Sequence, residues 1–180
     1  QAVAGAGKEA VDELKQQVID LEHKKPVKIE YLPKQIAYNV IPQIDVFLDN
    51  GYTKEEIKMT NETKKIMGDG SIELTATAVR VPVYIGHSEA VTIETEKKLT
   101  AAQVKELMKK APGVVLVDDP SNKVYPMPID CAGRNETFVG RIREDVSHPN
   151  GINLWVVSDN LRKGAAWNAV QIAQVWITKH

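Results

Sequence analysis

Two Thr/Val/Ile-rich segments constrain the fold of this chain more than any other feature: Ile72-Glu73-Leu74-Thr75-Ala76-Thr77-Ala78-Val79 and Ala90-Val91-Thr92-Ile93-Glu94-Thr95. β-branched residues dominate both, and apolar and polar positions roughly alternate, which is the pattern of half-buried β-strands. Between them lies Arg80-Val81-Pro82-Val83-Tyr84-Ile85-Gly86-His87-Ser88-Glu89. Pro82 cannot donate to a ladder and marks an edge or a bulge. Gly86 permits a sharp turn or a close backbone approach just before the imidazole. A stiff sheet would then hold a guanidinium near a group that titrates around neutral pH, a pairing suited to anion binding beside acid/base chemistry. The spacing leaves a plainer reading open as well: a strand connection with a surface Arg and a solvated His.

The rest of the chain supplies helices and more strands. Gln1 to Gly7 is small and Gly-containing, and reads as a loop with a frayed terminus. Val11, Leu14, Val18 and Leu21 recur at spacings of three and four, predicting a helix over Lys8 to Glu22. Ile36 to Pro42 reads as a strand entering a loop. Thr53 followed by Glu56 is a capping box for a helix from Lys54 to Met67, on which Glu62 and Lys65 share a face. Spacing alone makes that pair a surface ion pair. Thr100 caps a third helix with Val104, Leu107 and Met108 on its apolar side, and Val114 to Val117 is a short apolar strand. Phe138 to Arg143 and Ile152 to Val157 flank Pro149-Asn150-Gly151 and predict a hairpin. Arg141 and Arg143 fall on one face of it, for structural or interface pairing or for an anion. Lys163 to Ile177 is apolar on nearly all sides, as helices buried on more than one face are.

At 180 residues the chain fits one domain, 1–180. A net charge of −1 offers no basic face for nucleic acid. No apolar run approaches the ~18 residues of a membrane span, and the first residues lack the basic and apolar regions of a signal peptide. The single cysteine, Cys131, excludes a disulfide within the chain and fits a reducing compartment, hence a cytoplasmic location. No neighbouring His or helix start lowers its pKa, so it reads as a small buried residue. No metal-ligating cluster and no G-x-G-x-x-G after a strand is present.

R-V-P-V-x-x-G-H-S-E resembles the active-site histidine segment of the aspartate-β-semialdehyde dehydrogenase family. Gln1-Ala2-Val3-Ala4-Gly5-Ala6-Gly7, Asn61-Glu62-Thr63-Lys64-Lys65-Ile66, Phe138-Val139-Gly140-Arg141-Ile142-Arg143 and Trp155-Val156-Val157-Ser158-Asp159-Asn160-Leu161-Arg162-Lys163-Gly164-Ala165-Ala166 resemble it in the same order. The resemblance implies an α+β fold: a mixed, mostly antiparallel sheet with helices on one face, as in the C-terminal catalytic domain of glyceraldehyde-3-phosphate dehydrogenase. It implies the substrate-binding and dimerisation domain of an NADP-dependent oxidoreductase of lysine, threonine and methionine biosynthesis. That enzyme interconverts aspartate-β-semialdehyde plus phosphate and β-aspartyl phosphate. By the same resemblance His87 is the acid/base, Arg80 holds the substrate α-carboxylate, Glu62 its ammonium, Gln1 orients it, and Lys65 holds phosphate. Gly5, Ala6, Gly7, Asn168 and Gln171 lie toward the cofactor. The stretch 162–180 returns to a nucleotide domain, and the chain pairs as a homodimer. The nucleophilic Cys and the nucleotide domain of the family lie upstream of Gln1, so the chain by itself is expected to be inactive. A non-catalytic dimerisation module of the same fold and an N-acetylglutamyl-phosphate-type reductase domain remain as alternatives. The Glu62 ammonium site argues against the second, because an acylated amine carries no positive charge.

Overall fold

In a computed structural model that describes residues 1–179, the chain divides into two compact units. The first is Gln1 with Val3–Tyr84, and the second is Ala2 with the chain from Ile85 onward. The division follows the apolar residues, because the first unit closes around one buried cluster and the second around two.

The first unit is organised by two helices. α1 (Lys8–Glu22) buries Ala10 and Leu14 against Val3, Leu32, Ile36, Ala37 and Ile41. Its polar side is not all solvent-facing: Gln17 is 1% exposed and ties down the following loop. Gln17 Nε2 donates to the Lys28 carbonyl at 2.9 Å, and Oε1 accepts from Ile36 N and Ala37 N at 3.0 and 3.1 Å. Glu13 accepts from Glu30 N and Tyr31 N in the same way. α2 (Lys54–Met67) starts at the predicted capping box, with Thr53 and Glu56 exchanging side-chain bonds for main-chain N–H groups. It ends at Gly68, whose left-handed φ of 66° lets its N–H turn back to the last carbonyls.

Two predicted strands do not form. Residues 36–42 and 72–79 carry strand composition, yet neither forms a strand, and an isolated antiparallel bridge joins Ile41 to Arg80, one residue past the second segment. A strand needs a partner along its length, and here the main-chain groups are taken one by one. Gln17 takes Ile36 N and Ala37 N, Glu56 takes Ala78 N, and Gln1 N donates to Val79 O. The first residues are not frayed either. Val81 N donates to Gln1 O, and Val3 N and Ala4 N donate to the carbonyls of Val83 and Tyr84. Val3–Ala6 forms a 3-10 turn.

The second unit is a four-stranded sheet of β1 (His87–Glu94), β2 (Val114–Leu116), β3 (Thr137–Glu144) and β4 (Gly151–Ser158), in the order β1-β4-β3-β2. β4 is antiparallel to both β1 and β3, and β2 is parallel to β3. α3 (Ala101–Lys110) sets Val104 into one sheet face among Val139, Ile142, Ile152 and Leu154. The alternate residues Phe138 and Val157 meet Cys131 of the short α4 (Pro128–Cys131).

The predicted hairpin carries a bulge between Gly140 and Arg143. Asp118 holds it by accepting from Arg141 N and Ile142 N, while its carboxylate lies 3.0 Å from Lys105 Nζ. Arg141 takes a left-handed φ of 53° there. Gly140 is obligatory beside the bulge, since a Cβ would lie 2.1 Å from the Val117 carbonyl oxygen. After β4 a π-helical turn, Arg162–Ala166, leads into α5 (Trp167–Lys179). That helix buries no residue: Ile172 and Ile177 are 63% and 74% exposed. His180, the end of the expected 162–180 stretch, lies outside the described residues.

Candidate active site

Each unit carries one part of the predicted constellation. In the first, Arg80 is 6% exposed, and its main chain is pinned by paired bonds with Ile41 at 2.8 and 2.9 Å. Its Nη1 lies 3.5 Å from Gln1 Oε1, and Gln1 Nε2 donates to Glu55 Oε1 at 3.2 Å. Burial pushes the guanidinium below its ordinary pKa, and the nearby Glu55 carboxylate pulls it back up. Lys58 Nζ is 3.6 Å from the other Glu55 oxygen. The cluster of Gln1, Glu55, Lys58 and Arg80 thus offers a guanidinium, an ammonium, a carboxylate and a carboxamide within one compact unit. That donor set matches a small zwitterion carrying an extra anion.

Glu62 and Lys65 are not in this cluster. Both are exposed on α2, one helical heptad beyond Glu55 and Lys58, and neither is in an ion pair among the described residues. At about 1.5 Å rise per residue they sit roughly 10 Å further along the same helix face. Sequence reasoning passed over Glu55 and Lys58, although they repeat the same i,i+3 spacing. The signal that singles them out is the capping box, because it fixes the first turn of α2 to the stretch that carries Arg80. Glu56, itself 6% exposed, accepts from Ala78 N at 2.8 Å as well as from Thr53 N.

In the second unit His87 opens β1, opposite Ser158 of β4. Its Nδ1 accepts from Ala2 N at 3.1 Å. Gly86 precedes it with a φ of 100°, and a Cβ there would come within 3.0 Å of Pro128 Cβ. The Gly86 N–H donates to Asn160 Oδ1 at 2.9 Å. Of the residues expected toward a cofactor, Gly5 and Ala6 lie at the end of the 3-10 turn and Gly7 is the N-cap of α1, with a φ of 103°. The carboxamide oxygens of Asn168 and Gln171 both face Lys163 Nζ, at 3.5 and 2.9 Å. Arg141 and Arg143 line a separate hollow of about 440 Å³ with Tyr125, Met127 and Trp155, and His87 is not in its lining. Cys131 is 1% exposed, and burial with the adjacent Asp130 charge pushes its thiol up to about 11.

Residues 1–163 match the family described as semialdehyde dehydrogenase, dimerisation domain. The chain belongs to this family. An aspartate-semialdehyde dehydrogenase from Legionella pneumophila is 56% identical over 176 residues, which are 97% of this chain and 51% of that protein. A crystal structure of aspartate semialdehyde dehydrogenase II from Vibrio cholerae complexed with ASA superposes with a TM-score of 0.96 at 48% identity, over 100% of this chain and 53% of that one. An aspartate semialdehyde dehydrogenase from Candida albicans, solved with NADP, shares the fold at 24% identity and a TM-score of 0.55 over 70% of this chain and 40% of that one. The chain spans about half the length of the relatives it matches. Its mixed, mostly antiparallel sheet with packed helices is the fold of this dimerisation domain.

Proposed function

We propose that this semialdehyde dehydrogenase dimerisation domain binds the amino-acid substrate of an NADP-dependent aspartate-semialdehyde dehydrogenase. That enzyme converts L-aspartate-4-semialdehyde, phosphate and NADP+ into L-4-aspartyl phosphate and NADPH. The observation that carries the reading is the Gln1–Glu55–Arg80 cluster. Arg80, buried and pinned through its main chain, takes the substrate α-carboxylate in a charge-assisted pair. Glu55 takes the ammonium, in the role the sequence suggested for Glu62, and Gln1 spans the two. Lys58, rather than Lys65, is the lysine beside that carboxylate and serves phosphate. His87 moves protons at the reacting carbonyl, since an imidazole titrates near neutral pH.

The nucleophilic thiolate of such a reaction is not Cys131, whose thiol is buried and pushed up to about 11. NADP, when bound, supplies the hydride acceptor. Asn168 and Gln171 suit contact with it, because Lys163 engages their oxygens and leaves their N–H groups to donate. Gly5, Ala6 and Gly7 bring main chain without side-chain bulk. The domain pairs as a homodimer, in keeping with the description of its family, and α5 packs on the nucleotide-binding part of the enzyme. That packing accounts for an apolar helix with no buried residue.

Titration of the chain with L-aspartate, read by amide chemical shifts, tests the substrate site. Shifts should centre on Arg80, Glu55 and Gln1. Arg80→Ala should abolish them, Glu55→Gln should weaken binding by about tenfold or more, and Glu62→Gln should leave it unchanged. If Glu62→Gln weakens binding and Glu55→Gln does not, the substrate ammonium belongs at Glu62. If none of the three variants alters binding, the substrate-site reading falls.

A further inference from the structure

We infer that the Ala2 amide sets His87 as its Nε2–H tautomer, and that Asn160 is the positioning residue that holds the ring to that contact. The inference deepens the role proposed for His87. It begins with a donor whose identity is fixed: a main-chain N–H can only donate. Ala2 N lies 3.1 Å from His87 Nδ1, so Nδ1 contributes its lone pair and carries no proton. The single proton of the neutral ring is then on Nε2.

That assignment gives the chemistry a direction. From Nε2 the neutral ring offers a hydrogen bond to an oxygen, as a group stabilising a carbonyl or alkoxide oxygen should. To act as a base it would have to take its proton on Nδ1, where the Ala2 N–H already points, and the contact would have to break. His87 in its resting state is therefore a donor toward substrate, and proton acceptance is coupled to release of the Ala2 amide.

The approach of the ring to Ala2 depends on the turn just before it. Gly86 holds a φ of 100° against Pro128, a conformation that glycine adopts without a Cβ clash. Its N–H is secured by Asn160 Oδ1 at 2.9 Å. Asn160 is in turn held by its neighbour: Asp159 is 2% exposed, accepts from Leu161 N and Arg162 N, and takes Gly133 N at 2.7 Å. The Asp159-Asn160 pair thus fixes the exit of β4 to the turn that enters β1. This gives a physical role to a pair the sequence reading left without one.

The test is nuclear magnetic resonance on the 15N-labelled chain at a pH where its imidazoles are neutral, with the His87 signals identified by their loss in His87→Phe. Long-range proton–nitrogen correlations should show His87 Nδ1 unprotonated and Nε2 protonated. The Ala2 amide should exchange about tenfold faster in His87→Phe than in the unsubstituted chain. Asn160→Leu should speed that exchange comparably and mix the two tautomers, whereas Asn160→Asp, which keeps an acceptor for Gly86 N, should preserve the single tautomer. A protonated Nδ1 in the unsubstituted chain, or an Ala2 exchange rate indifferent to His87→Phe, overturns the assignment. A single tautomer retained in Asn160→Leu removes Asn160 from it. None of these measurements needs ligand or turnover, so their failure would leave the substrate-site reading to its own titration.

Discussion

Replacing Glu56 by Gln isolates the bond on which the Arg80 cluster depends. The Glu56 carboxylate is buried, accepts from Thr53 N and from Ala78 N, each at 2.8 Å, and these two N–H groups hold its pKa below the ordinary glutamate value. Gln has nearly the same shape but only one acceptor oxygen, so its NH2 group must face one of the two main-chain donors. A buried N–H left unsatisfied costs about 1–3 kcal/mol. At neutral pH the Ala78 amide should therefore exchange about 5- to 150-fold faster in Glu56→Gln. Affinity for L-aspartate should fall with it, since Ala78 lies two positions before Arg80. The pH dependence has a definite sign. A carboxylate whose folded pKa is depressed contributes its full stability above the unfolded value, about 4.3, and loses it as the pH falls through the lower folded value. Below that point the unsubstituted side chain is itself a neutral group with one donor, and the two proteins should converge. Equal Ala78 exchange at neutral pH would refute the reasoning, and so would a difference that persists unchanged after acidification.

Three further outcomes follow from single contacts. Gln17→Leu leaves Ile36 N, Ala37 N and the Lys28 carbonyl without their shared partner, and should cost about 2–4 kcal/mol in urea unfolding while opening the 28–37 loop to proteolysis. Gly140→Ala places a methyl 2.1 Å from the Val117 carbonyl oxygen and 2.6 Å from Pro126 Cδ, and should destabilise the sheet by about 3 kcal/mol or more, read as a fall in Tm. Cys131, buried with its thiol pushed up to about 11, should resist alkylation at neutral pH until the chain is unfolded.

The elements that the sequence located best are those whose signal is local. Thr53 with Glu56 and Thr100 ahead of Val104 mark helix starts, because the capping bonds close within four residues. The hairpin was legible because the turn and both alternating strands are contiguous. Its bulge was not, because it is held by Asp118, more than twenty residues upstream of Arg141. Residues 72–79 misled for the complementary reason. Their Thr, Val and Ile content fits a pleated surface, but β-propensity measures packing on a sheet that has to exist. Here Glu56 answers Ala78 N and the chain's first residue answers the Val79 carbonyl. Gln1 was misread as frayed on position alone, while its main chain lies paired with Val79 and Val81.

Arg80 and His87 stand out because Pro82 and Gly86 punctuate the segment between them. For the substrate ammonium the resemblance names Glu62 while the contacts of Gln1 favour Glu55, and periodicity does not choose between them. Glu55/Lys58 and Glu62/Lys65 have the same spacing and, seven residues apart, the same face of α2. What separates them is which turn of the helix is anchored. Glu56 makes one bond that any capping box makes, to Thr53 N, and a second that no local rule contains, to Ala78 N. That second bond ties the first turn of α2 to the segment leading into Arg80, and Glu55, next to Glu56, arrives at Gln1 as a consequence. A capping glutamate with an acceptor to spare is therefore the residue to follow when a helix offers two equivalent charged faces: the turn it anchors is the one whose side chains can be held still enough to recognise a ligand.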